Sequence, residues 1–410
     1  MKGIKIIGAQ ALLYGFCFAV ASCGCSKSSN NPEPPPVDST APKAVTKTVT
    51  KKVFAHMMPW FETPATYNGA WGIHWTMSNQ NPNVVNTNGQ KQIASHYYPL
   101  TGPYASGDSN IIQYQLLLMK LSGIDGVFID WPGVQQKYDY PYLVRNTNKI
   151  IAMLSRVGLN YAIVYEDQDL KGASDVVATA QTDMTYMQTN FFTSDNYEKI
   201  AGKPVLLDFG PQVIKGQDQW TSVFSVLNPQ PAFFPLWFQS TEAGSNATGE
   251  FSWIPQDNFT TLNYYYTGYP FSGTKFGSAY PGFNSFYAQG GWGGPTWTID
   301  YNNLENFQQT LTLALSQSNI NYIQLATWND YGEGTMIEPT VEFQYGFLTT
   351  LQQKLGVQSL DQSDLEAVYQ FYQLRVKYAG DAAKQQQLNQ VFTYMAALQM
   401  QKAKDLLGTL

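Results

Sequence analysis

The segment TWNDYGEGTMIEP (residues 327–339) places three carboxylates, Asp330, Glu333 and Glu338, within thirteen positions of a chain in which only 13 % of residues are charged. It follows directly on the apolar run NYIQLA. Asp330 and Glu333 stand three apart in a glycine-containing turn, a spacing that lets both reach one cleft without touching. Two carboxyl groups in one cleft are the equipment for breaking a glycosidic bond: a protonated one donates to the leaving oxygen, and an ionised one acts as base or nucleophile. Glu338, followed by Pro339, reads as a support for the loop or a cap for the next helix.

Other polar and aromatic residues interrupt apolar runs in the same way, always at the C-terminal end. They are His56 and Trp60, Asp130 and Trp131, Glu166, Asp208, Trp237 and Trp328. One acid after a strand is ordinarily a turn former or a helix cap. Several gathered at one mouth repel each other and raise each other's pKa, and such crowding is usually kept for a task. The segment HYYPLTGPYASGD (residues 96–108) adds His96, Tyr97, Tyr98 and Tyr104, suited to lining a sugar subsite. The three histidines, His56, His74 and His96, lack the H-x-x-x-H spacing of a zinc site. Neither a metal nor a cofactor is expected.

The elements that must hold these residues alternate. Short apolar runs (VFAHMMPWF, DGVFIDWPG, YAIVYEDQD, KPVLLDFGP, PAFFPLWF, NYIQLATWND) have the near-continuous apolar character of strands covered on both faces. Between them SNIIQYQLLLMKLSG, PYLVRNTNKIIAMLSRVG, SDVVATAQTDMTYMQTNFF and NNLENFQQTLTLALSQS carry helical spacing. This alternation predicts an α/β fold, a (β/α)8 TIM-type barrel over residues 53–345, whose active site lies at the C-terminal ends of its strands. A doubly wound open sheet is the rival, weakened by the lack of a Gly-rich phosphate loop after the first strand. Residues 240–300 are loop-rich and suited to shaping a cleft. Residues 346–410 read as a helical extension outside the barrel, with Ser363 as an N-cap.

A chain of 410 residues with 44 % hydrophobic content fills a large core. Its net charge of −6, or about −8 without the leader lysines Lys2 and Lys5, excludes a polyanionic partner such as nucleic acid. Aromatics reach 15 %, the flat apolar faces on which sugars stack. Residues 1–22 read as a signal peptide, and VASC as a bacterial lipoprotein processing site that leaves Cys23 lipid-modified. Residues 23–52, rich in Ser, Pro, Thr and Lys, read as a disordered tether. All three cysteines lie in this first stretch, so the folded body holds no disulfide. The expected setting is the bacterial cell envelope, periplasm or outer membrane surface. The expected state is a lipid-anchored monomer acting on an oligo- or polysaccharide.

The sequence resembles the glycoside hydrolase clan that joins families 71 and 99, over most of residues 53–340. HYYPLTGPYASGD is similar to the family 99 segment of tyrosines before a Gly-Pro-Tyr turn and an acid. GIDGVFIDWPG is similar to its Gly-Ile-Asp-Gly strand, and WNDYGEGTMIEP combines the family 71 wording WNDYGE with the family 99 elements EGT and IEP. The resemblance implies endo-acting cleavage of an α-linked polysaccharide, α-mannan for family 99 or α-1,3-glucan for family 71. It implies Glu333 as general acid, Asp330 as partner carboxylate, Glu166 as a substrate-binding residue, and Tyr97, Tyr98 and Trp131 as subsite residues. Family 99 has a glutamate where this chain has Asp330, so retention and inversion both stay open. The same departure motivates an alternative, an inactive barrel serving as a surface glycan-binding lipoprotein.

Overall fold

The computed structural model describes residues 40–410. The expected leader, Cys23 and the first part of the tether lie outside the described residues. The barrel strands are β1 (Lys52–Met57), β2 (Gly126–Trp131), β3 (Asn160–Tyr165), β4 (Lys203–Asp208), β5 (Ala232–Pro235), β6 (Gly249–Phe251), β7 (Thr274–Ala279) and β8 (Ile320–Leu325). They pair in parallel in the order β5-β4-β3-β2-β1-β8-β7-β6. Two isolated parallel bridges, Phe233↔Ala247 and Leu236↔Phe251, join the β5 and β6 ends and close the ring. The expected (β/α)8 barrel is therefore the observed fold. A short strand, Lys199–Ile200, hairpins onto β4, and a ribbon of Phe283–Asn284 with Thr298–Ile299 stands apart from the ring.

The strand sequences explain their placement. β2 is buried at every position, as a parallel strand between barrel interior and helices must be. Aromatic rings pave the centre: Phe54 stacks on Phe128 at 4.6 Å, and Phe276 stacks on Phe234 at 4.2 Å and on Tyr322 at 4.5 Å. Because side chains alternate along a strand, the residue two further on occupies the next layer towards the C-terminal mouth. Above Phe54, Phe128, Phe276 and Tyr322 therefore stand His56, Asp130, Ser278 and Gln324. An apolar floor under a polar layer is how this sequence builds a site on a packed barrel.

The outer helices are α1 (Ser109–Leu121), α2 (Tyr140–Val157), α3 (Val176–Asn190), α4 (Gln217–Phe224), α5 (Phe259–Thr267) and α6 (Glu305–Ser316). The extension adds α7 (Gly346–Leu355), α8 (Gln362–Lys377), α9 (Ala382–Ala396) and α10 (Met400–Leu407). It packs outside the barrel on α1, where Tyr114 meets Tyr372 at 5.3 Å and Arg375 Nη2 donates to Gln113 Oε1 at 3.2 Å. Barrel and extension belong to one compact unit. The cap of α8 is Asp361 rather than Ser363: Asp361 and Asp364 form a reciprocal capping box, and Ser363 donates its own N–H to Asp361 Oδ1 at 2.8 Å.

The expected tether also needs correction where it is described. Lys43 N–H donates to Ala396 O at 3.1 Å, Thr48 N–H to Gly356 O at 3.1 Å, and Val49 N–H to Leu355 O at 3.1 Å. Lys47 pairs with Asp125. These residues bury little apolar surface and are ordered by backbone donors and lysines, which hydrophobic patterning does not register. No helix among the described residues is long and apolar enough to cross a membrane.

Candidate active site

The carboxylate-rich loop after β8 is built from backbone hydrogen bonds. Trp328 N–H donates to His56 O at 2.6 Å, Thr327 N–H to Thr335 O at 2.9 Å, and Glu338 N–H to Trp328 O at 2.9 Å, folding residues 327–338 back on themselves. Asn329 clamps the loop to β1 by exchanging hydrogen bonds with Met58, accepting its N–H at 2.8 Å and donating to its carbonyl at 3.0 Å. Glu338 is buried beneath and accepts from Tyr104 Oη at 2.8 Å, Gln115 Nε2 at 2.7 Å and Tyr331 Oη at 3.0 Å, the supporting role its position suggests. Gly334 has φ +70°, and a Cβ there would lie 2.8 Å from Asn284 O and 2.9 Å from Tyr301 Oη, so only glycine fits the turn.

This loop aims Asp330 and Glu333 into a cavity of about 200 Å³ at the C-terminal mouth, a volume commensurate with one sugar ring. His56, Trp60, Asp130 and Glu166 line the same cavity. Asp330 is 2 % exposed, and its Oδ1 accepts the N–H of Glu333 at 2.9 Å. Burial raises its pKa to about 6, and the backbone N–H groups of Glu333 and Gly332 restrain the rise. Glu333 is pushed well above the usual carboxylate range by burial and then by the negative charge of Asp330, and its Oε2 has no protein partner. One turn thus holds an acid that ionises readily beside one that keeps its proton, a division of roles that fits general acid and base.

Asp130 and Glu166 form a second pair, each acting on the other's hold on its proton. Burial raises Asp130 to about 7 and lifts Glu166 further, the Asp130 charge adding to the effect. Gln168 Nε2 donates to Glu166 Oε2 at 2.8 Å. His56 is buried, its Nδ1 3.1 Å from Gln324 Oε1, and desolvation lowers its pKa to about 4, so the imidazole is neutral at physiological pH. Among the described residues no cluster of His, Cys, Asp and Glu has the arrangement of a metal site.

Aromatic surfaces complete the walls. Trp60 stacks on His74 at 4.2 Å and 5°, and the wall continues through Trp292 to Tyr287. Trp253 meets His56 at 4.9 Å and Phe209 at 4.8 Å, both edge-on. Met58, Gln168, Phe209, Trp253 and Tyr287 all line the cavity and were not singled out in the sequence. Met58 and Phe209 do lie just beyond β1 and β4, and Gln168 two residues past Glu166. Trp253 lies two residues past β6, a strand too short to stand out as an apolar run, and Tyr287 sits in the long segment between β7 and α6.

The remaining candidates do not reach this cavity. Trp131 follows Asp130 and so points the opposite way, outward, against Tyr186 and Phe191. Trp328 is fully buried under the loop, and Tyr104 is 4 % exposed and occupied with Glu338. Asp208 is buried beside Asp167, which accepts the N–H groups of Gln212, Val213 and Ile214. Trp237 stacks on Phe238 away from the acids. His96, Tyr97 and Tyr98 line a separate, polar cavity of about 260 Å³ with Gln92 and Glu342.

Neither a protein-family model nor a curated protein matches the sequence. Solved structures do match the fold, a (β/α)8 barrel. The family 99 endo-α-mannosidase from Bacteroides thetaiotaomicron superposes with a TM-score of 0.57 at 17 % identity, over 75 % of this chain and 96 % of that one. Such an enzyme in complex with bis-tris propane matches with a TM-score of 0.57 at 16 % identity, over 75 % and 98 % of the two chains. A glycoside hydrolase-like protein gives a TM-score of 0.57 at 13 % identity, covering 77 % of this chain and 97 % of that one.

Proposed function

We propose that the protein is a glycoside hydrolase that cleaves an α-linked polysaccharide internally, of the α-mannan or α-glucan class. The observation that carries this reading is the Asp330–Glu333 arrangement: two carboxyl groups on one turn, facing one cavity, with unequal hold on their protons. Glu333 donates its proton to the glycosidic oxygen as the bond breaks. Asp330, ionised, withdraws a proton from water or from a sugar hydroxyl on the other side of the reacting carbon. Trp60, Trp253 and Tyr287 give the sugar ring its apolar contacts. The fold shared with an endo-α-mannosidase supports the reaction class.

The test is hydrolysis of a panel of α-mannans and α-glucans by the wild type beside Glu333→Gln, with products followed by NMR to give linkage and anomeric configuration together. Product from the wild type and none from the variant is the expected result. Binding by both without product removes the enzyme and leaves the second reading, a glycan-binding barrel, which is favoured by the short Asp330 side chain. The leader motif ending in Cys23 supports a lipid-anchored setting in the cell envelope, tested by mass spectrometry of the mature N-terminus.

A further inference from the structure

Hydrolysis uses one carboxyl pair, and this cavity holds two. Asp130, at the end of β2, and Glu166, just past β3, face the same space as Asp330 and Glu333, and no Lys or Arg lines it. The Lys and Arg ion pairs found among the described residues lie elsewhere, at Lys47–Asp125, Lys52–Glu198, Arg145–Glu62 and Lys404–Asp364. His56, the basic side chain that lines the cavity itself, is held neutral by burial. Asp130 is only 4 % exposed, and its Oδ1 has no protein partner.

Negative charge enclosed without a counter-charge is unfavourable, and sharing a proton within each pair relieves only part of it. A neutral sugar satisfies hydrogen bonds there and leaves the charge uncompensated. An ammonium group supplies the missing charge together with three donors, and the aromatic rings of Trp253 and Tyr287 line the same cavity. We infer that Asp130 and Glu166 receive a cationic substituent of the substrate, so that the glycan cleaved here carries a free amino sugar, a 2-amino-2-deoxyhexose that is not N-acetylated. This rests on the glycosidase reading of the same cavity and narrows its substrate class.

Calorimetric titration at about pH 7 compares glucosamine and mannosamine with glucose, mannose and the two N-acetylated sugars. Expected is binding of the amines about tenfold or more tighter than of the neutral sugars, a ratio that falls to about one in both Asp130→Asn and Glu166→Gln whatever the change in absolute affinities. Circular dichroism verifies that each variant is folded, and two independent variants guard against one failing to fold. Equal binding of amine and neutral sugars, or an amine preference that survives both substitutions, overturns the inference. A parallel assay on partly de-N-acetylated and neutral α-glycans separates the two claims. Cleavage of neutral glycans without amine preference sinks the amino-sugar inference and keeps the hydrolase. Amine-selective binding with no cleavage of either polymer sinks the hydrolase and keeps the cation-receiving pair.

Discussion

Asp330 Oδ1 accepts the backbone N–H of Glu333 at 2.9 Å, so the turn that carries one acid also stabilises the ionised form of the other. The negative charge this maintains on Asp330 in turn favours the proton on Glu333. The two roles are set by burial and by contacts within this one turn rather than by distant charges.

Replacing Glu333 with Gln removes the proton donor. Turnover of a natural polysaccharide is expected to fall by about 10²–10⁴-fold, while an aryl α-glycoside with a good leaving group, which needs no protonation, loses far less. Comparing kcat/KM on the two substrates checks the assignment, and an equal loss on both contradicts it.

The pH profile of kcat/KM is expected to be bell-shaped. Activity rises as the carboxyl assigned to Asp330 loses its proton near pH 6 and falls as the Glu333 proton is lost at higher pH. Both limbs belong to the coupled pair. A profile flat across this range would contradict the pairing.

Stability should move the other way with pH. Burial raises Asp330 to about 6 and both Asp130 and Glu338 to about 7, above their unfolded values. The folded state therefore binds protons more tightly, and the stability present below the unfolded pKa values is lost as pH rises through the folded ones. Asp130→Asn removes one such loss, so its Tm should exceed that of the wild type by roughly 2–5 °C at pH 8 and match it near pH 4. Calorimetric melting at the two pH values decides this.

Gly334→Ala forces a Cβ into a left-handed turn and against Asn284 O. The expected penalty is about 1–3 kcal/mol, read from denaturant unfolding, with loss of activity because the same turn orients Glu333.

Trp253→Ala removes an aromatic wall that touches His56 and Phe209. The expected effect is a fall of about 10–100-fold in kcat/KM carried mainly by KM, measured by steady-state kinetics.

Much of this was legible in the sequence because strands covered on both faces write themselves as apolar runs, and residues that end those runs stand at the mouth. Asp130, Glu166, Asp330 and Glu333 follow that rule and line one cavity. Trp131 ends the same run as Asp130 but packs outward on Tyr186 and Phe191, because the period of two sends strand neighbours to opposite faces. His96, Tyr97 and Tyr98 were assigned to the sugar site by motif, and the ribbon and loop of residues 283–287 divert them to another cavity. Phe286 N–H donates to Gly332 O at 2.8 Å in that partition, a long-range pairing with no local signature. Tyr287 belongs to the same segment, whereas Trp253 follows β6, three residues long and without the apolar run that marks the other strands.

The segment before β1 has a consequence for handling the molecule. Residues 42–49 run past Lys120, Gly158, Leu355 and Gly356, the C-terminal ends of α1, α2 and α7, and therefore along the floor of the barrel. The cavity opens on the opposite side. An affinity tag, fluorophore or resin linkage placed upstream of Thr40 would join the described body from beneath, away from the mouth of the cavity.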